Sequence, residues 1–245
     1  MPCYKIADVV FRAECNFGYT ADLCKNYLYT GEEKPEFTAV VTKEDILHER
    51  ALGGAENFPD YYIESLALFR KLCDYLLENR QGIVFHSSAV AVDGKAYLFT
   101  APSGTGKSTH ARLWRQMLGD RVVMINDDKP IIRFIDGDFY VYGTPWNGKH
   151  RLDTNGRAKI AAVCNLTRGT ENKIYTISPA EMLGVVFNQT IRPEELEKMD
   201  KLLFLIDKLL TSVGLYRLEC NISREAAELS FKAMTGENPP AVRTQ

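Results

Sequence analysis

The sequence predicts an α/β protein built on a mixed sheet with flanking helices. Helical and strand-like patterns interleave along most of the chain, as they do where helices cover a sheet. Two Asp-Gly pairs, Asp93-Gly94 and Asp136-Gly137, lie between strand-like runs and read as tight hairpins. Hairpins make antiparallel neighbours, so the sheet is not purely parallel. At 245 residues the chain can bury a full core as one domain with a small lobe attached.

Residues 1–80 read as that lobe, an α+β unit. Tyr4 to Phe11 and Phe37 to Thr42 are strand-like, and Gly53-Gly54 with Pro59 marks a connection. A long helix is expected over about Tyr61 to Asn79, because Tyr62, Leu66, Phe69, Leu72 and Leu76 recur at three- and four-residue steps along one face. Asp60 can cap it.

Residues 81–245 read as the larger domain. Ile83 to Val92 and Lys95 to Thr100 flank the first Asp-Gly pair, and Ile131–Ile135 and Phe139–Tyr142 flank the second. A helix of about Ser108 to Leu118 and the strand Val122 to Ile125 lie between the hairpins. Ala161 to Leu166 and Ile174 to Ile177 are strand-like. Ser178-Pro179-Ala180-Glu181 has a capping serine, a first-turn proline and a glutamate reaching back, so a helix starts there. A helix after Pro193 aligns Leu196, Met199, Leu203, Ile206 and Leu210. Strand-like Leu215–Cys220 and a helix after Ser223 close the chain.

Composition narrows the function classes. With 30 basic against 32 acidic residues the formal charge is −2, so no basic surplus calls for nucleic acid or an anionic membrane as partner. Asp8, Arg12 and Glu14 interrupt any signal-peptide core. Leu202 to Leu210 is broken by Asp207 and Lys208 and is too short to span a bilayer. The cysteines show no paired zinc spacing and read as reduced thiols, with Cys73, Cys164 and Cys220 in apolar, core-like patterns. The expectation is a cytoplasmic protein, with a homo-oligomer left open.

The segment Ala101-Pro-Ser-Gly-Thr-Gly-Lys-Ser108 fits the Walker A pattern, with alanine in place of the leading glycine. Ser103, Gly104, Thr105 and Gly106 form a turn whose N–H groups can converge on phosphate oxygens. Lys107 places a point charge on the β- and γ-phosphates, and the Ser108 hydroxyl can ligate Mg²⁺. The helix that follows adds its positive end to the same anion site. The alternative is an ordinary Gly-Ser turn with a solvated lysine. ATP with Mg²⁺ is the ligand this loop suits.

Asn126-Asp127-Asp128 ends the strand Val122–Ile125. If that strand lies close to the loop strand, the two carboxylates reach the phosphates, Asp127 as base toward a hydroxyl and Asp128 toward the metal. Otherwise they are a polar turn.

The succession of His86, Asp93-Gly94, Ala101–Ser108 and Asp127-Asp128 resembles HPr kinase/phosphorylase, over about residues 83 to 135. The kinase domain of that family shares its fold with the ATP-dependent PEP carboxykinases. The resemblance implies phosphate transfer from Mg²⁺·ATP to a serine hydroxyl, with His86 near the phosphates. It also implies Lys107 on phosphate, Ser108 on metal and Asp127 as the base, while P-loop geometry puts Thr109 near the α-phosphate. The chain departs from the family at Ala101, and Gly143–His150 stands where a glutamate-containing signature follows. A shorter lobe also replaces the large N-terminal domain of many members. The resemblance therefore points to the smaller HPr-kinase-related proteins, whose acceptor is a protein, a peptide or a small molecule.

Two substrate-side readings stay open. The glycine-rich loop Gly143–His150 either meets the acceptor through Trp146 and Lys149 or is a turn whose tryptophan packs on the sheet. Arg192 is either a further cation for phosphoryl transfer or a solvated residue at a helix start. The leading expectation is a kinase acting on a hydroxyl, and the alternative is a catalytically silent nucleotide-binding module. A PEP-carboxykinase-like lyase ranks last, because His48, His86, His110 and His150 form no ligand pair by spacing.

Overall fold

Two sheets organise the chain. The computed structural model describes residues 1–53 and 57–240, so Gly54 of the expected connection lies outside the described residues.

The small sheet takes the order β1 (Cys3–Ile6), β2 (Val9–Glu14), β3 (Phe37–Val40). Its first pair is antiparallel and its second parallel. The single strand expected over Tyr4–Phe11 is a hairpin instead, because Ala7 and Asp8 turn the chain at φ of 52° and 59°. Without a glycine, that left-handed turn left no signature in the sequence. Three helices accompany this sheet: α1 (Gly18–Leu23), α2 (Lys43–Ala51) and α3 (Asp60–Asn79). Thr42 and Asp45 close a capping box on α2, an element the sequence pattern did not predict. The residue at the N-cap of α3 is Pro59, so Asp60 lies in the first turn and does not cap. It favours the helix there through the dipole.

The large sheet runs β4 (Gly82–Val84), β8 (Ile131–Ile135), β9 (Asp138–Tyr142), β10 (Arg157–Arg168), β6 (Lys95–Thr100), β5 (Ser88–Val92), β7 (Val122–Asn126). Beyond β10 lie β12 (Gly214–Cys220) and, paired to it, β11 (Lys173–Thr176). Strand β10 is long enough to hold β9 beside Arg157–Lys159 and β12 beside Ala162–Arg168 on one edge, with β6 on the other. Pairing of β10 with β6 and β12 is parallel and with β9 antiparallel, so the sheet is mixed, as expected. Both Asp-Gly pairs form the predicted turns, with positive φ at both positions of each.

Helices cover both faces. On one face α4 (Lys107–Leu118) and α7 (Arg224–Thr235) bury Trp114 and Phe231 against Val90, Val92, Tyr97 and Phe99. On the other, α5 (Pro179–Asn188) and α6 (Leu196–Ser212) bury Met182, Leu205 and Leu209 against Ala89, Ala91 and Leu98. The alternation along β5 and β6 assigns the faces. A third core joins the two sheets: Phe69 of α3 stacks on Trp146 with ring centroids 4.3 Å apart, and Val84, Ile131 and Tyr142 belong to the same cluster. Among the described residues no helix is long and apolar enough to cross a membrane.

The expected strand Ile83–Val92 breaks at its centre. Its first part, β4, pairs with β8, while β5 pairs with β6 and β7, so residues 85–87 must cross between partners. His86 therefore sits in this crossing and not within a strand.

Candidate functional site

Strand β5 lies between β6 and β7 and runs antiparallel to both. The β7 strand thus lies close to the loop strand β6, one strand away from it. They still run parallel to each other, so residues 101–106 and the Asp127-Asp128 turn leave the sheet at the same edge.

The turn after β6 is held open by torsion. Gly104 and Gly106 take φ of 75° and 123°, and an added Cβ at either would meet no atom within 4 Å. A side chain is disfavoured there by backbone conformation alone. Ala101 takes no positive φ and is buried with Ala111 and Trp114, which accounts for an alanine where the motif expects glycine. Thr105 N–H donates to Pro102 O, and His110 N–H to Gly106 O. Among the described residues the N–H groups of Ser103, Gly104, Gly106, Lys107, Ser108 and Thr109 donate to no protein acceptor. Such a cluster of free donors at a helix start is suited to an anion.

Lys107 is buried, and its Nζ donates to Ala101 O at 2.9 Å. Burial pulls its pKa below the usual lysine value, while Asp128 and Asp127 push it back up. The ammonium and both carboxylates thus share one electrostatic neighbourhood.

The carboxylates are tightly placed. Ser88 Oγ donates to Asp127 Oδ1 at 2.7 Å, leaving Oδ2 without a protein donor among the described residues. Asn126 Oδ1 accepts from the N–H groups of Asp128 and Lys129, both at 2.8 Å, and its Nδ2 donates to Thr144 O at 2.9 Å. This side-chain turn fixes the direction in which both aspartates leave β7. Asp128 Oδ1 lies 3.0 Å from His86 Nε2, and Oδ2 accepts from Lys129 Nζ at 2.8 Å. Burial alone would raise the Asp128 pKa, but the bonds from His86 and Lys129 bring it down to about 2. His86 thus meets the site through Asp128. Its own N–H donates to Gln189 O at 2.7 Å, which ties the crossing to the end of α5.

The loop 143–156 closes over the turn. A Cβ on Gly143 would lie 1.9 Å from Thr154 O, so only glycine fits that approach. Gly148 comes close enough that an added Cβ would be 3.7 Å from Asp127 Oδ2. Trp146 points the other way: it is buried, and its Nε1 donates to Ser65 O of α3 at 2.9 Å. The reading of Trp146 as an acceptor contact is corrected to that of an anchor for the loop. Lys149 is exposed beside Gly148. Arg192 lies over the Phe187 ring, 5.7 Å from its centroid, and lines neither of the clefts described next.

Two clefts flank the start of α4. One, of about 330 Å³, has Ser108, Thr109, Asp127 and His150 in its wall. The other, of about 450 Å³, is walled by Gly104, Thr105, Gly106, Leu113, Asn221 and Ile222. Cys220 also reaches this second cleft and is only half-buried, whereas Cys73 and Cys164 are buried as expected. Arg168, at the end of β10, donates to Gly104 O at 2.6 Å. Sequence reasoning missed Ser88, Arg168 and Thr144, whose partners lie far along the chain. Asn126 was legible in principle, since an asparagine opening a polar turn is a known turn former.

Among the described residues no three His, Cys, Asp or Glu side chains form a metal cage. The Ser108 hydroxyl and the Asp127 and Asp128 carboxylates are hard oxygen donors of the kind magnesium takes, an ion that needs few protein ligands and completes its shell with phosphate and water.

No family model and no curated protein matches the chain. Among solved structures the chain is similar to the HPr(Ser) kinase/phosphatase from Coxiella burnetii, with 9 % identity and a TM-score of 0.32, covering 62 % of this chain and 93 % of that one. A likeness of that size carries no argument, so the functional reading rests on the residues themselves.

Proposed function

We propose that the protein is an ATP- and Mg²⁺-dependent kinase of the HPr kinase type, transferring the γ-phosphate to a hydroxyl. Residues 81–245 form its P-loop domain in this reading, and residues 1–80 a supporting lobe. One observation carries it: Ser108, Thr109 and the Asp127 carboxylate wall a single cleft, beside the buried Lys107 and a loop of free N–H groups.

The N–H groups of Ser103, Gly104, Gly106 and Ser108 hold phosphate oxygens, and Lys107 leaves Ala101 O to reach the β- and γ-phosphates. The second cleft, with Leu113, Ile222 and Asn221, takes the nucleoside. Ser108 and Asp128 would hold Mg²⁺, which would supply charge neutralisation to the transferring group. The acceptor oxygen attacks the γ-phosphorus from the side of Asp127. Its proton passes to Asp127 Oδ2, the oxygen that Ser88 leaves free. The bond from the γ-phosphorus to the bridging oxygen breaks, and ADP leaves. Catalysis is then mainly positioning and charge neutralisation.

The test is product formation from labelled ATP with candidate acceptors. Replacing the Asp127 carboxylate (Asp127→Asn) should lower turnover about 100-fold or more while ATP affinity holds. Lys107→Ala should weaken ATP binding about tenfold or more, through loss of a charge-assisted contact to phosphate. If the wild type consumes no ATP and Lys107→Ala binds it as tightly, the reading is lost.

A further inference from the structure

We propose that the cleft beside Asp127 holds the anionic end of a small-molecule acceptor, a carboxylate or phosphate gripped by Arg112 and Arg115. This deepens the kinase reading and rests on it.

Ser108, Arg112 and Arg115 are spaced four and three residues apart, so they share one face of α4. The other face, with His110, Trp114 and Met117, is buried against the sheet and α7. The shared face lines the cleft of about 330 Å³, which the buried Asp127 also lines. Two guanidinium groups therefore stand in file leading to the proposed reaction centre.

Neither guanidinium has a hydrogen-bond or ion-pair partner among the described residues. Elsewhere arginines close on carboxylates: Arg70 on Glu49, Arg157 on Asp8 and Arg224 on Glu228. His150, on the loop that Trp146 anchors, adds an imidazole to the same lining. Asp127 is the one acidic side chain in that wall, and it sits at the end where the hydroxyl must be. An arginine fork matches a carboxylate or phosphate in shape and charge.

Charge and size set the acceptor class together. A volume near the lower end of small-ligand sites admits a compact molecule and not a folded partner. Met124 and Leu152 add apolar lining to the same cleft, suited to a few carbons. The acceptor is thus a hydroxy acid or a phosphorylated alcohol. Its hydroxyl oxygen forms the new bond to the γ-phosphorus and gives its proton to Asp127. Its anionic group does not react.

The experiment uses the full chain, labelled ATP and a cell extract divided into a macromolecular fraction and small molecules, the latter split by anion exchange before the reaction. Label should appear in products of the anionic fraction, and glycerate and glycerol phosphate are defined probes of the carboxylate and phosphate forms. Arg112→Gln and Arg115→Gln should each raise the acceptor KM about tenfold, the worth of one charge-assisted contact, while ATP affinity stays unchanged and reports a folded site. Arg112→Lys should recover part of the loss, since charge returns without the fork. Transfer only to neutral compounds or to protein, or an acceptor KM indifferent to both arginines, overturns this proposal and leaves the kinase standing. No turnover with any fraction by a wild type that binds ATP removes the kinase reading and this one with it.

Discussion

His86 shows how a residue reaches a site through its neighbour. Its Nε2 lies 3.0 Å from Asp128 Oδ1, and the backbone on both sides is pinned: Ser87 N–H donates to Asp128 O, and Thr100 Oγ1 to His86 O. With Asp128 as a magnesium ligand, His86 orients that ligand. Replacing it (His86→Ala) should raise the magnesium concentration for half-maximal activity about tenfold, the usual size for loss of a ligand's supporting contact. Titrating turnover against magnesium checks this, and an unchanged midpoint would confine His86 to packing. At this scale the sequence was readable as to placement, since Lys107, Ser108 and Asp127 do come together around the start of α4. Ser88 and Arg168 were not readable, because their contacts with Asp127 and Gly104 close over 39 and 64 residues. Trp146 was ambiguous for a related reason: its ring is explained by Phe69 and Ser65 of α3, which its own loop does not announce.

Elements divide in the same way. The Asp-Gly hairpins, the capping box on α5 and the apolar stripe of α3 depend on local patterns, and each was legible. The stripe expected on α6 was not: Leu196 and Leu203 are exposed, and the buried face runs through Leu202, Leu205, Ile206, Leu209 and Leu210. The Ala7-Asp8 turn and the crossing at His86 depend on which strand pairs with which, and neither was. Helix α4 carries a further consequence. Ser230 Oγ of α7 donates to Ala227 O at 3.0 Å, so its lone pairs must accept from both Trp114 Nε1 at 2.9 Å and His110 Nε2 at 2.8 Å. His110 therefore carries its proton on Nε2 and stays neutral in an apolar setting. Burial takes its pKa from 6.5 down to about 4. Below pH 6.5 the unfolded chain binds a proton that the folded chain refuses, so stability falls as pH drops toward about 4 and then levels off. Between pH 7 and 4.5 this one group should cost about 2–3 kcal/mol. Urea midpoints at the two pH values should differ by less in His110→Gln than in the wild type. An equal difference would show that His110 does not set this acid response.

The whole molecule is tied together across its two sheets. Tyr27 donates to Asp153 Oδ2 at 2.7 Å, Arg133 Nη1 to Ala7 O at 2.7 Å and Tyr142 to Asp8 Oδ2 at 2.7 Å. These bonds surround the apolar cluster that holds Phe69 and Trp146. The small sheet has three strands and would be marginal alone. Its hydrophobic face is completed by Val84, Ile131 and Tyr142 of the large sheet, so the two should unfold as one unit. Trp146 reports on the shared core and Trp114 on the α4 face, so single-tryptophan variants Trp146→Phe and Trp114→Phe separate the two signals. In urea both fluorescence transitions should coincide with the far-UV circular dichroism transition. An earlier transition for Trp146 would mean that the small sheet detaches first, carrying the 143–156 loop and His150 away from Asp127. The coupling has a functional side, since the lobe anchors the loop that faces the carboxylate. Loosening that anchor with Trp146→Ala should destabilise the protein by about 3–5 kcal/mol. In whatever fraction remains folded, it should raise the acceptor KM more than it weakens ATP binding, because the loop borders the acceptor cleft and not the nucleoside cleft.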